Sequence, residues 1–104
     1  MTNPYTPESQ TRADIDALRG IAVLDFGTNW CGHCQAAQPL VDRALAGRAD
    51  VAHIKVEDGS GRPLGRSYRV KLWPTLVFLR DGVEVARLVR PTDAATVSQA
   101  LAMA

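Results

Sequence analysis

Apolar positions follow two rhythms along this chain. IAVLDF at 21–26 is a branched, apolar run interrupted only by Asp25 and bounded by Gly20 and Gly27, which predicts a strand buried on both faces. VAHIKVE at 51–57 predicts a second strand. TLVFLR at 75–80 and VEVARLV at 83–89 flank Asp81-Gly82, a strong hairpin signal, so these two should run antiparallel. Helical spacing appears elsewhere. PESQTRADIDALRG predicts a short helix with Thr6 as N-cap, Pro7 in the first turn, Gly20 past its end, and Ile15 and Leu18 on one face. A longer helix should run from the WCGHC stretch at 30–34 through CQAAQPLVDRALAGR, kinked at Pro39 and ended by Gly47. DGSGRPLG reads as a loop before a short helical turn through Arg66 and Tyr68. PTDAATVSQALAMA predicts a final helix, capped by Thr92, with Val97, Ala100 and Leu101 as its apolar face. Alternation first and a hairpin later imply an α/β fold, a mixed sheet with helices on both faces.

Composition narrows the function classes. The 104 residues suit a single domain, 1–104, with a polar segment and short helix over 1–19. Twelve basic and eleven acidic side chains leave a net charge of +1, so no bulk field calls for nucleic acid or an anionic membrane. Arg62, Arg66, Arg69 and Lys71 form a local basic cluster without interleaved aromatics, expected as a solvated loop face. No stretch approaches the roughly 18 apolar residues of a membrane span, and MTNPYTPESQTR lacks the pattern of a leader. The expected location is the cytoplasm, or the periplasm or exterior if a leader has been removed.

Both cysteines of the chain, Cys31 and Cys34, lie within WCGHC. A structural zinc site needs four ligands, and only His33 and His53 could join the thiols, with His33 wedged awkwardly between them, so no metal is expected. Covalent haem attachment needs a histidine directly after the second cysteine, where Gln35 stands. A redox pair fits a strand-to-helix junction better. Unpaired N–H groups at a helix N-terminus favour a thiolate, so Cys31 at the mouth would attack a disulfide and Cys34 would resolve the mixed disulfide. A static crosslink is the competing reading, though so small a loop would stabilise little.

VLDFGTNWCGHCQAAQP resembles the active-site segment of the thioredoxin family, and YRVKLWPTLVFLRDG resembles its second signature, a proline loop entering the central hairpin. The likeness spans roughly residues 20 to 103. It implies a thioredoxin-like fold with four or five strands, the fifth in doubt because NPYTPESQ is too broken for the family's first strand. It further implies a redox-active Cys31–Cys34 disulfide, with Trp30 and Gly32 shaping the exposed turn. Pro74, between Trp73 and Thr75, matches the family's cis-proline, beside which backbone groups pair with substrate main chain and read few side chains. Trp73 is bulkier than the aliphatic residue usual there, and it either narrows the groove or simply packs.

Asp25 matches the family's buried aspartate. A lone carboxylate in an apolar strand is costly unless neutral, hydrated or partnered, which suits it to exchanging a proton with Cys34. The bland alternative is a strand-end carboxylate bonded to backbone. Pattern alignment places His53 opposite Asp25, where thioredoxins carry a lysine, with Lys55 two residues on. Arg90 and Pro91 stand where the family usually has a small glycine, and Arg90 either lends positive charge near Cys31 or is solvated. His33 resembles the motif of protein disulfide isomerases and should tune the pair toward the oxidant end of a range from roughly −270 mV to about −120 mV. A reducing cytosol argues for a reductase of protein disulfides. The alternatives are an isomerase or oxidase in an oxidising compartment, or a non-catalytic peptide-binding module. No cofactor is expected; the expected partners are disulfide-containing proteins and a reductase as electron donor, with the chain a monomer.

Overall fold

The computed structural model describes residues 4–7 and 9–104. Its elements follow the order α1 (Arg12–Asp16), β1 (Ile21–Gly27), α2 (Gly32–Leu45), β2 (Val51–Glu57), α3 (Pro63–Ser67), β3 (Thr75–Arg80), β4 (Val83–Val89) and α4 (Ala94–Leu101). The strands form one sheet in the order β2-β1-β3-β4, with β1 parallel to β2 and antiparallel to β3, and β3 antiparallel to β4. Four strands are therefore present among the described residues. Thr6 makes an isolated parallel bridge to Val56, and the Glu57 amide donates to the Thr6 carbonyl at 2.8 Å, so the broken N-terminal segment supplies one point of contact where a fifth strand would lie.

The period-2 pattern of each central strand sorts its side chains between two cores. Ala22, Leu24, Phe26, Val77 and Leu79 pack with Ile15 of α1 and Leu64 of α3. Val23, Leu76 and Phe78 pack on the other face with Val41 of α2 and Val97, Ala100 and Leu101 of α4. Asp25 shares the odd-numbered positions of β1 with Val23, and β2 pairs in register so that Asp25 lies beside Lys55.

The first helix starts later than its local cap chemistry suggests. Thr11, not Thr6, is the N-cap, and its hydroxyl accepts from the Asp14 amide while the Asp14 carboxylate accepts from Thr11 N. Pro7 precedes the helix, because Thr6 is committed to Val56 and an extended path; Glu8 lies outside the described residues, as do residues 1–3. α2 runs as one helix through Pro39. The last helix is capped by Asp93 rather than Thr92, its carboxylate accepting from both the amide and the hydroxyl of Thr96. In the hairpin, Asp81 and Gly82 both have positive φ, as a type I′ turn requires, and a side chain at Gly82 would overlap the Asp16 backbone. Asp81 also accepts from the Gly20 amide at 2.7 Å, which ties the hairpin tip to the start of β1.

Candidate active site

The chain leaves the sheet at Gly27 and enters α2 through Thr28, Asn29 and Trp30. Cys31 is the N-cap of α2, extended in backbone, and its sulfur accepts from the Cys34 amide at 3.2 Å. That sulfur thus takes the place usually filled by a Ser or Asp oxygen at a helix start, among amides that favour negative charge. Both cysteines are thiols in this structure. Cys31 keeps 7% of its surface exposed and Cys34 only 2%.

Cys34 packs against a residue that sequence reasoning missed. Tyr5 is buried in one cluster with Cys31 and Cys34, edged by Trp73. Its backbone is held by the Asn29 side chain, which accepts from Tyr5 N at 2.8 Å and donates to Tyr5 O at 3.1 Å. The Tyr5 hydroxyl donates to Asp25 Oδ1 at 2.7 Å, and the side chain packs beside the Cys34 thiol. Gly27 makes this approach possible, since a Cβ there would stand 2.5 Å from Cys34 Sγ and 2.9 Å from the Tyr5 hydroxyl. Burial, with added contributions from the neighbouring Asp25, pushes the tyrosine's ionisation well above its ordinary value. Burial also pushes the Cys34 thiol up, to about 12; its bond with Cys31 adds to this, while the Thr28 amide and the Tyr5 hydroxyl act in the opposite direction.

Asp25 is buried, and its second oxygen meets His53 Nε2 at 3.0 Å. His53 is therefore a direct partner of Asp25, although the register sets Lys55 and not His53 opposite the carboxylate, and the His53 side chain, 21% exposed, leads outward from it. Lys55 takes a different position, with Nζ 4.3 Å from the centre of the Tyr5 ring. Burial lowers its pKa and the charge of Asp25 offsets part of that fall. Tyr5, Cys34, Asp25 and His53 thus form one connected path from thiol to surface. Tyr5 carried little sequence signal, because a single aromatic in a polar, proline-broken stretch has no periodicity.

The outer side is built from tryptophans and the proline loop. The Trp73-Pro74 peptide is cis. Trp30, 75% exposed, meets Trp73 edge to face with ring centres 5.7 Å apart, and Trp73 Nε1 donates to Asp58 Oδ2 at 2.9 Å. Trp73 is thus partly buried, packed against the cysteine cluster as rim. Thr75 is buried and its hydroxyl donates to the Leu72 carbonyl. Arg90 Nε donates to the Trp73 carbonyl at 2.8 Å, and the Arg90 amide donates to the Pro74 carbonyl at 3.0 Å. Arg90 is exposed, yet it holds the proline loop, a role that neither sequence expectation contained. Gly32 and His33 lie exposed in the first turn of α2. Among the described residues no cluster of three or more His, Cys, Asp or Glu side chains could hold a metal.

A family model described as Thioredoxin matches residues 5–103. Thioredoxin H2-1 of Oryza sativa subsp. japonica is 41% identical over 70 residues, covering 66% of this chain and 50% of that protein. A thioredoxin of Chlamydia trachomatis is 38% identical over 75 residues, covering 71% of this chain and 72% of that one. The chain thus spans half the length of the rice protein. Among solved structures, thioredoxin 2 from Pseudomonas aeruginosa PAO1 in its reduced form matches with a TM-score of 0.85 and 55% identity, over 96% of this chain and 93% of that one.

Proposed function

The chain belongs to the thioredoxin family, a family of thiol-disulfide oxidoreductases, and on that premise we propose that it reduces disulfides of protein substrates in the cytoplasm, as a monomer recharged by a reductase. The observation that carries this reading is Cys31 capping the N-terminus of α2 with the less exposed Cys34 amide bonded to its sulfur.

Cys31 as thiolate attacks one sulfur of the substrate disulfide. A Cys31–substrate disulfide forms and the other substrate sulfur leaves as a thiolate, which takes a proton. Cys34 then attacks Cys31 Sγ, expels the second substrate thiolate and closes the Cys31–Cys34 disulfide. Two electrons have passed from the protein's dithiol to the substrate. For its attack Cys34 must lose a proton that its surroundings hold tightly. The Tyr5 hydroxyl and the Asp25 carboxylate accept it in relay, and His53 connects Asp25 with solvent. Trp30, Gly32, Trp73, Pro74 and Thr75 line the surface that receives the substrate backbone. His33, exposed beside both thiols, tunes the potential without blocking access.

Cys34→Ser should accumulate a mixed disulfide between Cys31 and a protein substrate, seen as an adduct by mass spectrometry and cleared by dithiothreitol. Cys31→Ser should form no adduct and lose at least about a thousandfold in turnover. Absence of any adduct with Cys34→Ser would overturn the mechanism. Equilibration in glutathione buffers separates direction: a potential near roughly −270 mV supports a reductase, and one near about −120 mV an oxidase.

A further inference from the structure

Trp73 also lines an open pocket of about 610 Å³, within the range of about 300–1,000 Å³ common for ligand clefts. Arg62, Arg66, Arg69 and Lys71 line it, together with Asp58 and Trp73. Four of the chain's twelve basic side chains thus converge on one concavity in a protein of net charge +1. Their charge is only partly neutralised locally. Arg62 pairs with Glu57, but Arg66, Arg69 and Lys71 make no ion pair among the described residues. Asp58, the lining carboxylate, is occupied with Trp73 Nε1 and wedged against Gly65, where an added Cβ would overlap it. Against the single carboxylate of Asp58, the four basic side chains leave the lining net positive.

Trp73 is shared between this pocket and the dithiol, since its ring also packs in the cluster of Cys31 and Cys34. A substrate whose disulfide sulfur sits at Cys31 would run its flanking residues past Trp73 to the basic lining of the pocket. We propose that this pocket is a specificity subsite for acidic residues flanking the disulfide of a protein substrate. The inference rests on the oxidoreductase reading and deepens it. Charge complementarity selects an acidic peptide. A single concave site that shares Trp73 with the dithiol cluster, rather than a basic stripe with stacked aromatics, disfavours a nucleic acid.

Two measurements test it, one of them independent of turnover. Both tryptophans of the chain, Trp30 and Trp73, stand at the site, so intrinsic fluorescence reports occupancy. A cysteine-free peptide rich in glutamate should change that fluorescence saturably. The R66Q/R69Q/K71Q variant should weaken this binding about tenfold, as should raised salt. The same sequence with glutamine in place of glutamate should not bind. Lack of binding by the acidic peptide overturns the proposal whatever the turnover, and tighter binding of an oligothymidylate than of the peptide reassigns the pocket to nucleic acid. For turnover, disulfide peptides with glutamate or glutamine flanks should differ about tenfold in kcat/KM with the native chain, and the triple variant should erase the difference while keeping the glutamine-flanked rate. Equal rates with the native chain would overturn the subsite alone, whereas no reduction of either peptide would count against the oxidoreductase reading.

Discussion

Cys31 and Cys34 lie three residues apart, yet the surroundings that equip each one are built differently. Cys31 is equipped locally: the turn that carries it supplies its hydrogen bond, from the Cys34 amide, and the start of α2 supplies the field. Cys34 depends on residues brought from far along the chain, namely Tyr5 from the N-terminal segment, Asp25 from β1 and His53 from β2. A nucleophile can be made by a short motif. A resolving thiol that must stay protonated until its moment needs a dry pocket and a proton acceptor within it, and only the tertiary fold provides both. Changes on the inner side should therefore register in stability and pH dependence, and changes on the outer side in substrate affinity.

The sharpest test of that division is Tyr5. Tyr5→Ala removes a buried aromatic ring that fills the space between Gly27, Cys34 and Asp25, and should cost about 3–5 kcal/mol in denaturant unfolding. Tyr5→Phe keeps the ring and deletes one hydrogen bond to a carboxylate, so about 1.5–3 kcal/mol is expected. The Phe variant should also slow resolution of a preformed Cys31 mixed disulfide more than it slows formation of that adduct. Equal slowing of both steps would show that Tyr5 shapes the site without serving Cys34.

The raised ionisation of Cys34 gives the comparison a pH signature. Its folded value, about 12, lies above the ordinary thiol value of 9.0, so between these limits the folded state holds a proton that the unfolded state has released. Stability of the dithiol protein is therefore fully present below pH 9.0 and should fall as pH rises toward about 12. Tyr5, raised by burial, adds to the decline above its ordinary value of 10.0. Cys34→Ser should flatten the first part of the curve, measured by urea unfolding at stepped pH. An unchanged slope would mean that another group dominates the window.

The same division explains what could be read from sequence. Asp81-Gly82 announced its hairpin because a type I′ turn is set by two adjacent residues, and WCGHC announced a helix-capping thiol because cap and helix are contiguous. The face of His53 was readable from the alternation of β2 but its register was not: Lys55 lies opposite Asp25, and His53 reaches the carboxylate from the step beside Val23. Tyr5, Asn29 and Asp58 were not reachable this way. Each acts through a partner at least 15 residues distant and repeats no pattern. Thr6 and Pro7 failed as a helix start for a related reason, because a bridge to Val56 outcompetes a local cap. Thr92 lost its cap to Asp93, one residue on, a boundary shift between two residues that are both good caps.

The smallest expected effect belongs to the outer side. Arg90 is exposed, and its Nε bond to the Trp73 carbonyl is one of two links from the end of β4 to the proline loop; the other, from the Arg90 amide to the Pro74 carbonyl, survives any change of side chain. Arg90→Ala should thus alter stability by less than about 1 kcal/mol. It should nevertheless raise KM for a protein disulfide about twofold to fivefold at unchanged kcat, because the carbonyl beside the substrate loses the donor that orients it. A fall in KM would carry the opposite meaning. Arg90 would then be occupying a carbonyl that substrate backbone needs, and its displacement would be a step in binding.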